Sequence, residues 1–275
     1  MHSQHRRPNH LEIECGSVTR RVAALRQRVG GGVKIFAALK ADGYGFGTLP
    51  MARAALAGGA NALSLIDRAE AIALREAGIE APILLYAGAP IDADAVAAAI
   101  AFRLVLTVLS VREVDLVARF ATAPVQLAIK LEVGAERIGV LAGELAGMAE
   151  RIARAPNLSL AIVNTHPTFR DDAPDEVVQE QFRRFVAGLD RLHDMRPIRL
   201  FASSKTLGRL SGMELDAVDP GQYLFADATE LPIIRSLRTV LTQVRPTTGP
   251  IAIAISDGVA PCAAHTSPRL IRASP

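Results

Sequence analysis

Residues 33–47, VKIFAALKADGYGFG, join an apolar run to a glycine-rich loop, with a lysine at the junction. The run 33–39 has the composition of a buried strand, and the three glycines after it alternate with an acid and two aromatic residues. A lysine ammonium is strongly hydrated, so Lys40 is either a surface residue just past the strand or a reactive amine that forms an imine. The loop favours the imine, because glycines let the backbone approach an anion and Tyr44 offers it a hydroxyl.

Short β-rich runs alternate with longer helical patterns along most of the chain. Strands are predicted at 33–39, 61–66, 82–87, 103–108, 125–131, 158–165, 198–203 and 217–225. Helices are predicted between them, including 67–77, with an inward stripe of Ala69, Ile72, Ala73 and Glu76, and the longest at 174–192. Eight such units predict an α/β fold, a parallel (β/α)8 TIM-like barrel, with Lys40 at the carboxyl ends of the strands where active sites lie.

Composition argues against several classes of protein. The formal net charge is only +3 and the arginines are scattered between acids, so we expect no nucleic-acid partner. The two cysteines, Cys15 and Cys262, have no metal-ligand spacing, so we expect neither a disulfide framework nor a metal site. No run reaches the ~18–20 apolar residues of a membrane helix, and the polar start lacks the apolar core of a signal peptide. We therefore expect a cytoplasmic protein with no membrane association.

Residues 38–47, ALKADGYGFG, resemble the cofactor-lysine motif of the alanine racemase family, pyridoxal 5'-phosphate enzymes with a barrel domain followed by a β-domain. The resemblance covers roughly residues 11–244. It implies that Lys40 holds the cofactor as a Schiff base, an internal aldimine, and that Tyr44 hydrogen-bonds the phosphate. It also implies an isomerase of amino-acid metabolism that acts at Cα and interconverts L-alanine and D-alanine.

Residues 130–139, KLEVGAERIG, are similar to a second family segment, in which an arginine contacts the cofactor's phenolic oxygen and the substrate carboxylate. Arg137 matches that arginine. A guanidinium suits the role because it binds a carboxylate with two parallel hydrogen bonds, although a solvated loop cation is the alternative. Lys130 matches a lysine that is carbamylated in some members and steadies the arginine; the alternative is an ion pair with a neighbouring acid.

Other predicted cofactor-binding residues follow later strands. His166 ends a threonine–histidine pair like the one whose imidazole lies against the cofactor ring, with a packed core histidine as the alternative. Ser203 and Ser204 replace an asparagine–serine pair, and Ser204 is expected to bind phosphate beside the backbone of Gly221 and Gln222. A helix cap is the alternative for Ser204.

Two positions depart from the family pattern. The family has an arginine before Pro-Gly that keeps the pyridine nitrogen unprotonated; Asp219 stands here and would favour a protonated nitrogen, unless it is only a turn residue. Racemisation needs proton transfer on both faces of Cα, and the family's second base is a tyrosine two residues before Asp-Gly in the partner's β-domain. Ile255 stands there, so Lys40 is expected to be the only base. Packing is favoured over a base role for Tyr86 and Tyr223.

The predicted domains are a disordered tail at 1–10, a cofactor-binding barrel at 11–230 and a shortened β-domain remnant at 231–275, irregular after 255. Family members dimerise because each β-domain completes the other subunit's site, and a homodimer is left open here. Two alternatives to alanine racemase stay open as well. One is a non-catalytic, regulatory protein that binds the cofactor, and the other is a one-base Cα enzyme such as another racemase, an aldolase or a decarboxylase.

Overall fold

A computed structural model describes residues 10–88, 90–168, 173–192, 195–225 and 234–238. The strands in these ranges are β1 (His10–Ile13), β2 (Lys34–Ala38), β3 (Ala62–Leu65), β4 (Ile83–Leu85), β5 (Leu104–Val108), β6 (Val125–Lys130), β7 (Leu158–Asn164), β8 (Ile198–Ser203), β9 (Ala217–Asp219) and β10 (Ile234–Arg238). The helices are α1 (Cys15–Val29), α2 (Lys40–Tyr44), α3 (Thr48–Ala57), α4 (Arg68–Glu76), α5 (Ala93–Phe102), α6 (Val111–Phe120), α7 (Ala142–Arg154), α8 (Asp175–Leu189), α9 (Ser204–Arg209) and α10 (Gln222–Phe225).

The chain divides into two compact units, Glu14–Ile233 and Met1–Ile13 with Ile234–Pro275. In the second unit the described residues form an antiparallel pair of strands, β1 with β10. The predictions for residues 1–9 and 239–275, including the one for Ile255, lie outside the described residues.

In the larger unit, strands β2 to β9 close a parallel barrel in sequence order, and β9 pairs back onto β2. Helices lie between successive strands. Each of these eight strands overlaps one of the eight predicted ones, which confirms the predicted TIM-like barrel. Of the described helices, none is long and apolar enough to cross a membrane.

Two details of the prediction are wrong. The strand predicted at 217–225 ends at Asp219, because Pro220 has no N–H to donate to a ladder, and the short helix α10 follows. The helix at 67–77 is α4, but its buried residues are Ala71 and Leu74, while Ala69 is exposed. The polar N-cap Asp67, which accepts the Ala69 N–H, sets where this helix begins.

The barrel interior is filled in layers, as expected where alternate residues of each strand point inward. One layer is a cluster of apolar residues with at most 4% exposure; this core layer consists of Phe36, Ala62, Leu84, Val105, Ala128, Ile162, Leu200 and Ala217. Two residues further along seven of the strands is an upper layer, which consists of Ala38, Ser64, Tyr86, Thr107, Lys130, Asn164 and Asp219. In β8 the pairing register shifts after Leu200, so we assign no upper-layer residue there. The upper layer is mostly polar, and it faces the end of the barrel where Lys40 lies.

Candidate active site

A cavity of about 420 Å³ opens at the carboxyl ends of the barrel strands. All ten predicted site residues line it: Lys40, Tyr44, Lys130, Arg137, His166, Ser203, Ser204, Asp219, Gly221 and Gln222. A larger cavity of about 720 Å³ lies at the amino ends of the strands, beside the ion pair of Arg199 with Asp216, and contains none of them. In barrels of this kind the amino-terminal face serves stability, so we place the candidate site in the smaller cavity.

Lys40 begins the segment α2, in which residues 41–44 form a left-handed turn instead of a right-handed helix. Leu39, the residue after β2, is fully buried, and beyond Lys40 the residues Ala41, Asp42 and Tyr44 have φ of 55°, 52° and 60°. This conformation costs a non-glycine residue about 1–2 kcal/mol, so the surroundings must hold it in place. The Asp42 carboxylate accepts the Thr48 N–H at 2.9 Å, and the Asp42 N–H donates to the Glu70 carboxylate at 2.9 Å.

The turn brings the side chains of Lys40 and Tyr44 to the same wall of the cavity. Lys40 Nζ lies 5.9 Å from the centre of the Tyr44 ring, which packs against Phe225 with ring centres 4.8 Å apart. Burial, with a smaller effect from Asp219, raises the pKa of Tyr44 to about 12. The Tyr44 hydroxyl therefore stays protonated and can donate a hydrogen bond to an anion.

Beside Tyr44 is a cradle of hydroxyl and backbone groups. A Cβ on Gly221 would collide with the Tyr44 hydroxyl, so any larger residue there forces the tyrosine side chain to move. Ser204 Oγ accepts the N–H groups of Gly221 at 2.8 Å and Tyr223 at 3.1 Å. Ser204 thus caps the start of α10, which is the alternative predicted for it from the sequence. It also lines the cavity. The cradle suits an anion, because Tyr44 and Ser204 supply hydroxyls, although the N–H groups of Gly221 and Tyr223 already donate to Ser204 Oγ.

The loop that carries Arg137 is held in shape by Glu132. The loop closes where the Glu132 N–H donates to Val140 O and the Val140 N–H donates to Lys130 O, both at 2.8 Å. Inside it, the Glu132 carboxylate accepts backbone N–H groups from residues 134, 135 and 136 at 2.7–3.0 Å. Burial acts to raise the pKa of Glu132, but these N–H groups together lower it. Glu132 is therefore the anion around which the Arg137 loop folds.

Gln181 ties this loop to its neighbour and was missed by sequence reasoning. It lies on α8 with 2% exposure, donates from Nε2 to Gly134 O at 3.1 Å and accepts the Thr168 N–H at Oε1 at 2.9 Å. It thereby joins the loop of Arg137 to the segment after His166. The available signal is a polar residue on the apolar stripe of a helix, which is costly unless it is hydrogen-bonded.

Burial lowers the pKa of Lys130 and His166, two basic side chains that line the cavity with Arg137. Burial, then Arg137 and then Lys40 lower the pKa of Lys130 to about 8. Burial and next Arg137 lower the pKa of His166 to about 3, so its imidazole is neutral at pH 7 and can lie against an aromatic ring. The Asp219 carboxylate acts in the opposite direction and raises the pKa of Lys130, and the alternative of an ion pair stays a prediction. Carbamylation of Lys130 stays a prediction, which a partly neutral amine favours.

Asp219 lies inside the barrel mouth, at the end of β9, with 8% exposure. The Tyr86 hydroxyl donates to Asp219 Oδ2, while Oδ1 is buried and has no hydrogen-bond partner among the described residues. Burial raises the pKa of Asp219 to about 6, against the opposing effects of the Tyr86 and Ser64 hydroxyls and then of Lys40 and Lys130. The Asp219 side chain thus faces the cavity instead of serving only the turn before Pro220.

These residues fit pyridoxal phosphate. Lys40 supplies the amine, Tyr44 and Ser204 border an anion cradle where Gly221 has no room for a Cβ, and two buried polar atoms, Asp219 Oδ1 and Ser203 Oγ, lack partners among the described residues. Buried polar groups are normally hydrogen-bonded, so a polar ligand that pairs with them completes the cavity. The described residues hold no group of three or more histidine, cysteine, aspartate or glutamate side chains suited to a metal.

Comparison with known proteins points the same way. The family model for the N-terminal domain of alanine racemase matches residues 13–229. Over 226 residues the chain is 31% identical to an alanine racemase of Desulforamulus reducens, covering 79% of this chain and 60% of that protein. Over 253 residues it is 30% identical to an alanine racemase of Synechocystis, covering 86% of this chain and 67% of the relative. The chain thus spans about three-fifths to two-thirds of the length of these relatives.

Solved structures resemble the fold over the same region. Alanine racemase from Bacillus anthracis, solved with bound L-Ala-P, superposes with a TM-score of 0.76 at 26% identity, over 86% of this chain and 64% of that one. Alanine racemase from Streptomyces coelicolor superposes with a TM-score of 0.75 at 28% identity, over 86% of this chain and 68% of the other. The resemblance seen in the motifs therefore extends to the barrel as a whole.

Proposed function

We propose that this chain, which belongs to the alanine racemase family, holds pyridoxal phosphate on Lys40 and moves the Cα proton of an amino acid. Pyridoxal phosphate is the cofactor of this family. The names of the relatives make alanine the proposed substrate and racemisation the proposed reaction. The observation that carries the proposal is that an amine, an anion cradle and an arginine line one cavity at the carboxyl ends of the barrel strands.

When bound, pyridoxal phosphate supplies an electron-withdrawing ring that makes the Cα proton of an attached amino acid removable. The protein's own residues hold and orient both molecules. Tyr44 and Ser204 bind the phosphate by their hydroxyls, together with the backbone at Gly221 and Gln222. Neutral His166 lies against the ring without placing a second positive charge beside Arg137.

Arg137 binds the carboxylate of the amino acid. Its loop is fixed by the Glu132 carboxylate and by Gln181, so the guanidinium is preorganised before the substrate arrives. Lys130, which also lines the cavity, supports Arg137 only as its carbamate, because an unmodified ammonium repels the guanidinium. Lys40 Nζ is the group that takes up the Cα proton on one face of Cα, and racemisation also requires a proton donor on the opposite face.

One observation favours a one-base enzyme as the second candidate function. Tyr86, the buried tyrosine considered as a second base, donates a hydrogen bond to Asp219. Its pKa is raised well above the ordinary value by burial and then by that carboxylate. A hydroxyl held in this way is a poor base. If Lys40 is the only base, it removes and returns the proton on the same face, so exchange at Cα proceeds with retention of configuration. The homodimer remains a prediction.

The test is exchange of the Cα proton in deuterated water, measured for a panel of amino acids that starts with alanine, together with the chirality of the product. We expect exchange and racemisation of alanine by the cofactor-loaded protein, and loss of both in Lys40→Ala. Lys34→Ala is the matched control, because Lys34 is exposed at the opposite end of the same strand, and its exchange rate should equal that of the wild type. Exchange with retention supports the one-base enzyme. Cofactor binding without exchange of any amino acid contradicts the proposal and supports a non-catalytic binding protein.

A further inference from the structure

We propose that Tyr86 and Asp219 form one hydrogen-bonded pair that contacts the ring nitrogen of pyridoxal phosphate and keeps that nitrogen protonated. The inference rests on the proposed function, since it needs the cofactor on Lys40. Asp219 is the residue that contacts the cofactor. Tyr86 is a positioning residue, because it acts through the carboxylate.

The first support is the asymmetry of the carboxylate. Tyr86 follows β4 and Asp219 ends β9, so the pair spans the inside of the barrel mouth. The Tyr86 hydroxyl occupies Oδ2, whereas Oδ1 is buried and has no hydrogen-bond partner among the described residues. The Ser64 hydroxyl, whose Oγ likewise has no partner in good hydrogen-bonding geometry among the described residues, lies close enough to Asp219 to lower the pKa of its carboxyl. A buried carboxylate oxygen with no partner is costly, so Oδ1 calls for a donor from the ligand.

The chemistry of the cofactor identifies that donor. The phosphate and the phenolic oxygen of pyridoxal phosphate are negatively charged or acceptors, and neither can donate to a carboxylate. The aldehyde carbon joins Lys40, and the phosphate belongs to the cradle of Tyr44, Ser204 and Gly221. The ring nitrogen is the remaining polar group, and it donates only when it carries a proton.

The surroundings of Asp219 favour a charged carboxylate once that donor is present. The charged and titratable groups that act on it are Lys40 and Lys130, which favour its ionised form, and the hydroxyls of Tyr44 and Tyr86. Asp219 and the ring nitrogen share one proton, which can lie on the nitrogen or on the carboxylate. The hydrogen bond from Tyr86 stabilises the carboxylate, which moves the proton to the nitrogen.

A protonated ring withdraws electrons from Cα more strongly than a neutral one. In the family pattern an arginine stands at the position of Asp219 and keeps the nitrogen unprotonated. The pair therefore gives this chain a more strongly activating cofactor than the arginine would, without changing how Lys40 or Arg137 binds.

The test uses protein loaded with pyridoxal phosphate that is labelled with ¹⁵N in the ring, and the readout is the ¹⁵N chemical shift at pH 7.5, which separates protonated from neutral ring nitrogen. We expect the protonated shift in the wild type and the neutral shift in Asp219→Asn. In Tyr86→Phe we expect a displacement towards the neutral shift, because the carboxylate becomes more basic and takes more of the shared proton. Asp216→Asn is the control, since Asp216 pairs with Arg199 at the amino ends of the strands, and its shift should equal that of the wild type.

Borohydride reduction of the same samples shows whether the cofactor is on Lys40. A neutral nitrogen in a wild type whose cofactor is on Lys40 overturns this inference and leaves the proposed function intact. A wild type that takes up no cofactor overturns both. If Asp219→Asn does not fold, Tyr86→Phe decides alone, and an unchanged shift in that variant overturns the role of Tyr86.

Discussion

The core layer and the upper layer of the barrel lie on the same strands, about 7 Å apart, because two residues of a strand separate them. The core layer is apolar throughout, and each of its residues is at most 4% exposed. The upper layer carries Lys130 and Asp219 and leaves three buried polar atoms without partners among the described residues, Ser64 Oγ, Asn164 Nδ2 and Asp219 Oδ1. Two positions along each strand therefore separate residues that pack the core from residues whose polar atoms need hydrogen bonds from a ligand. The comparison predicts that changes in the core layer alter stability at every pH, and that changes at the mouth alter the response to pH and cofactor.

The largest effect is expected in the core layer. Leu84→Ala removes a side chain with 0% exposure, and the cavity it leaves should lower the free energy of unfolding by about 2–5 kcal/mol. Urea unfolding of the apoprotein at pH 5 and at pH 8 measures it, and the loss should be equal at the two values. Leu141→Ala is the control, because Leu141 is 61% exposed and its loss should stay within about 0.5 kcal/mol. Equal losses for the two variants would contradict the assignment of the core layer.

The next effect belongs to Asp219 in the upper layer. Its pKa is raised from 3.8 to about 6, so its contribution to stability is fully present below pH 3.8 and is lost as the pH rises through 6. This loss is about 3 kcal/mol, and Asp219→Asn should escape it. The advantage of the variant over the wild-type apoprotein should therefore grow between pH 4 and pH 8.

Asp216→Asn is the control for that titration. The Arg199 side chain lowers the pKa of Asp216, so its contribution is present above the ordinary value and is lost only as the pH falls through the lowered pKa. The difference between this variant and the wild type should stay nearly constant from pH 5 to pH 8. A constant difference for Asp219→Asn over the same range would refute the buried, charged carboxylate described above.

A third effect concerns the anion cradle. In Gly221→Ala the new Cβ collides with the Tyr44 hydroxyl and displaces it, which removes one hydrogen bond to a charged group. We expect cofactor affinity to fall about 10- to 100-fold, from a loss of about 1.5–3 kcal/mol. Titration of the apoprotein with pyridoxal phosphate, followed by absorbance, measures it. Gly147→Ala, where a Cβ meets nothing within 4 Å, should bind as the wild type does.

The smallest effect is expected from Gln181, which joins two loops without touching either ligand. Gln181→Leu removes its bonds to Gly134 and Thr168, and the resulting freedom of the Arg137 loop should weaken amino-acid binding about 3- to 10-fold, or about 1 kcal/mol. KM for the amino acid should rise while cofactor affinity stays the same. Gln179→Leu, on the exposed side of the same helix, should change neither. A fall in cofactor affinity would contradict the assignment of Gln181 to the Arg137 loop alone.

Strand and helix periodicity predicted the barrel, because periodicity is a short-range feature, whereas the residues at its mouth were predicted from the resemblance of short segments to a known family. What the sequence did not reveal depends on distant residues. Tyr86 and Asp219 meet although 133 positions separate them, and no local pattern predicts that hydrogen bond. The left-handed turn at 41–44 includes three non-glycine residues, and it is held by contacts from Thr48 and Glu70 rather than by its own preferences. The stripe assigned to 67–77 was wrong because alanines satisfy a helical period on several faces.

The central claim is that Lys40 is the lysine that holds the cofactor, and three lysines line the cavity: Lys40, Lys130 and Lys205. Reduction of the cofactor-loaded protein with borohydride fixes pyridoxal phosphate to the lysine that carries it. Proteolysis and mass spectrometry of the peptides then identify that residue. We predict the label on the peptide containing Lys40 and its absence in Lys40→Ala. A label on Lys130 or Lys205 in the wild-type protein would contradict the account.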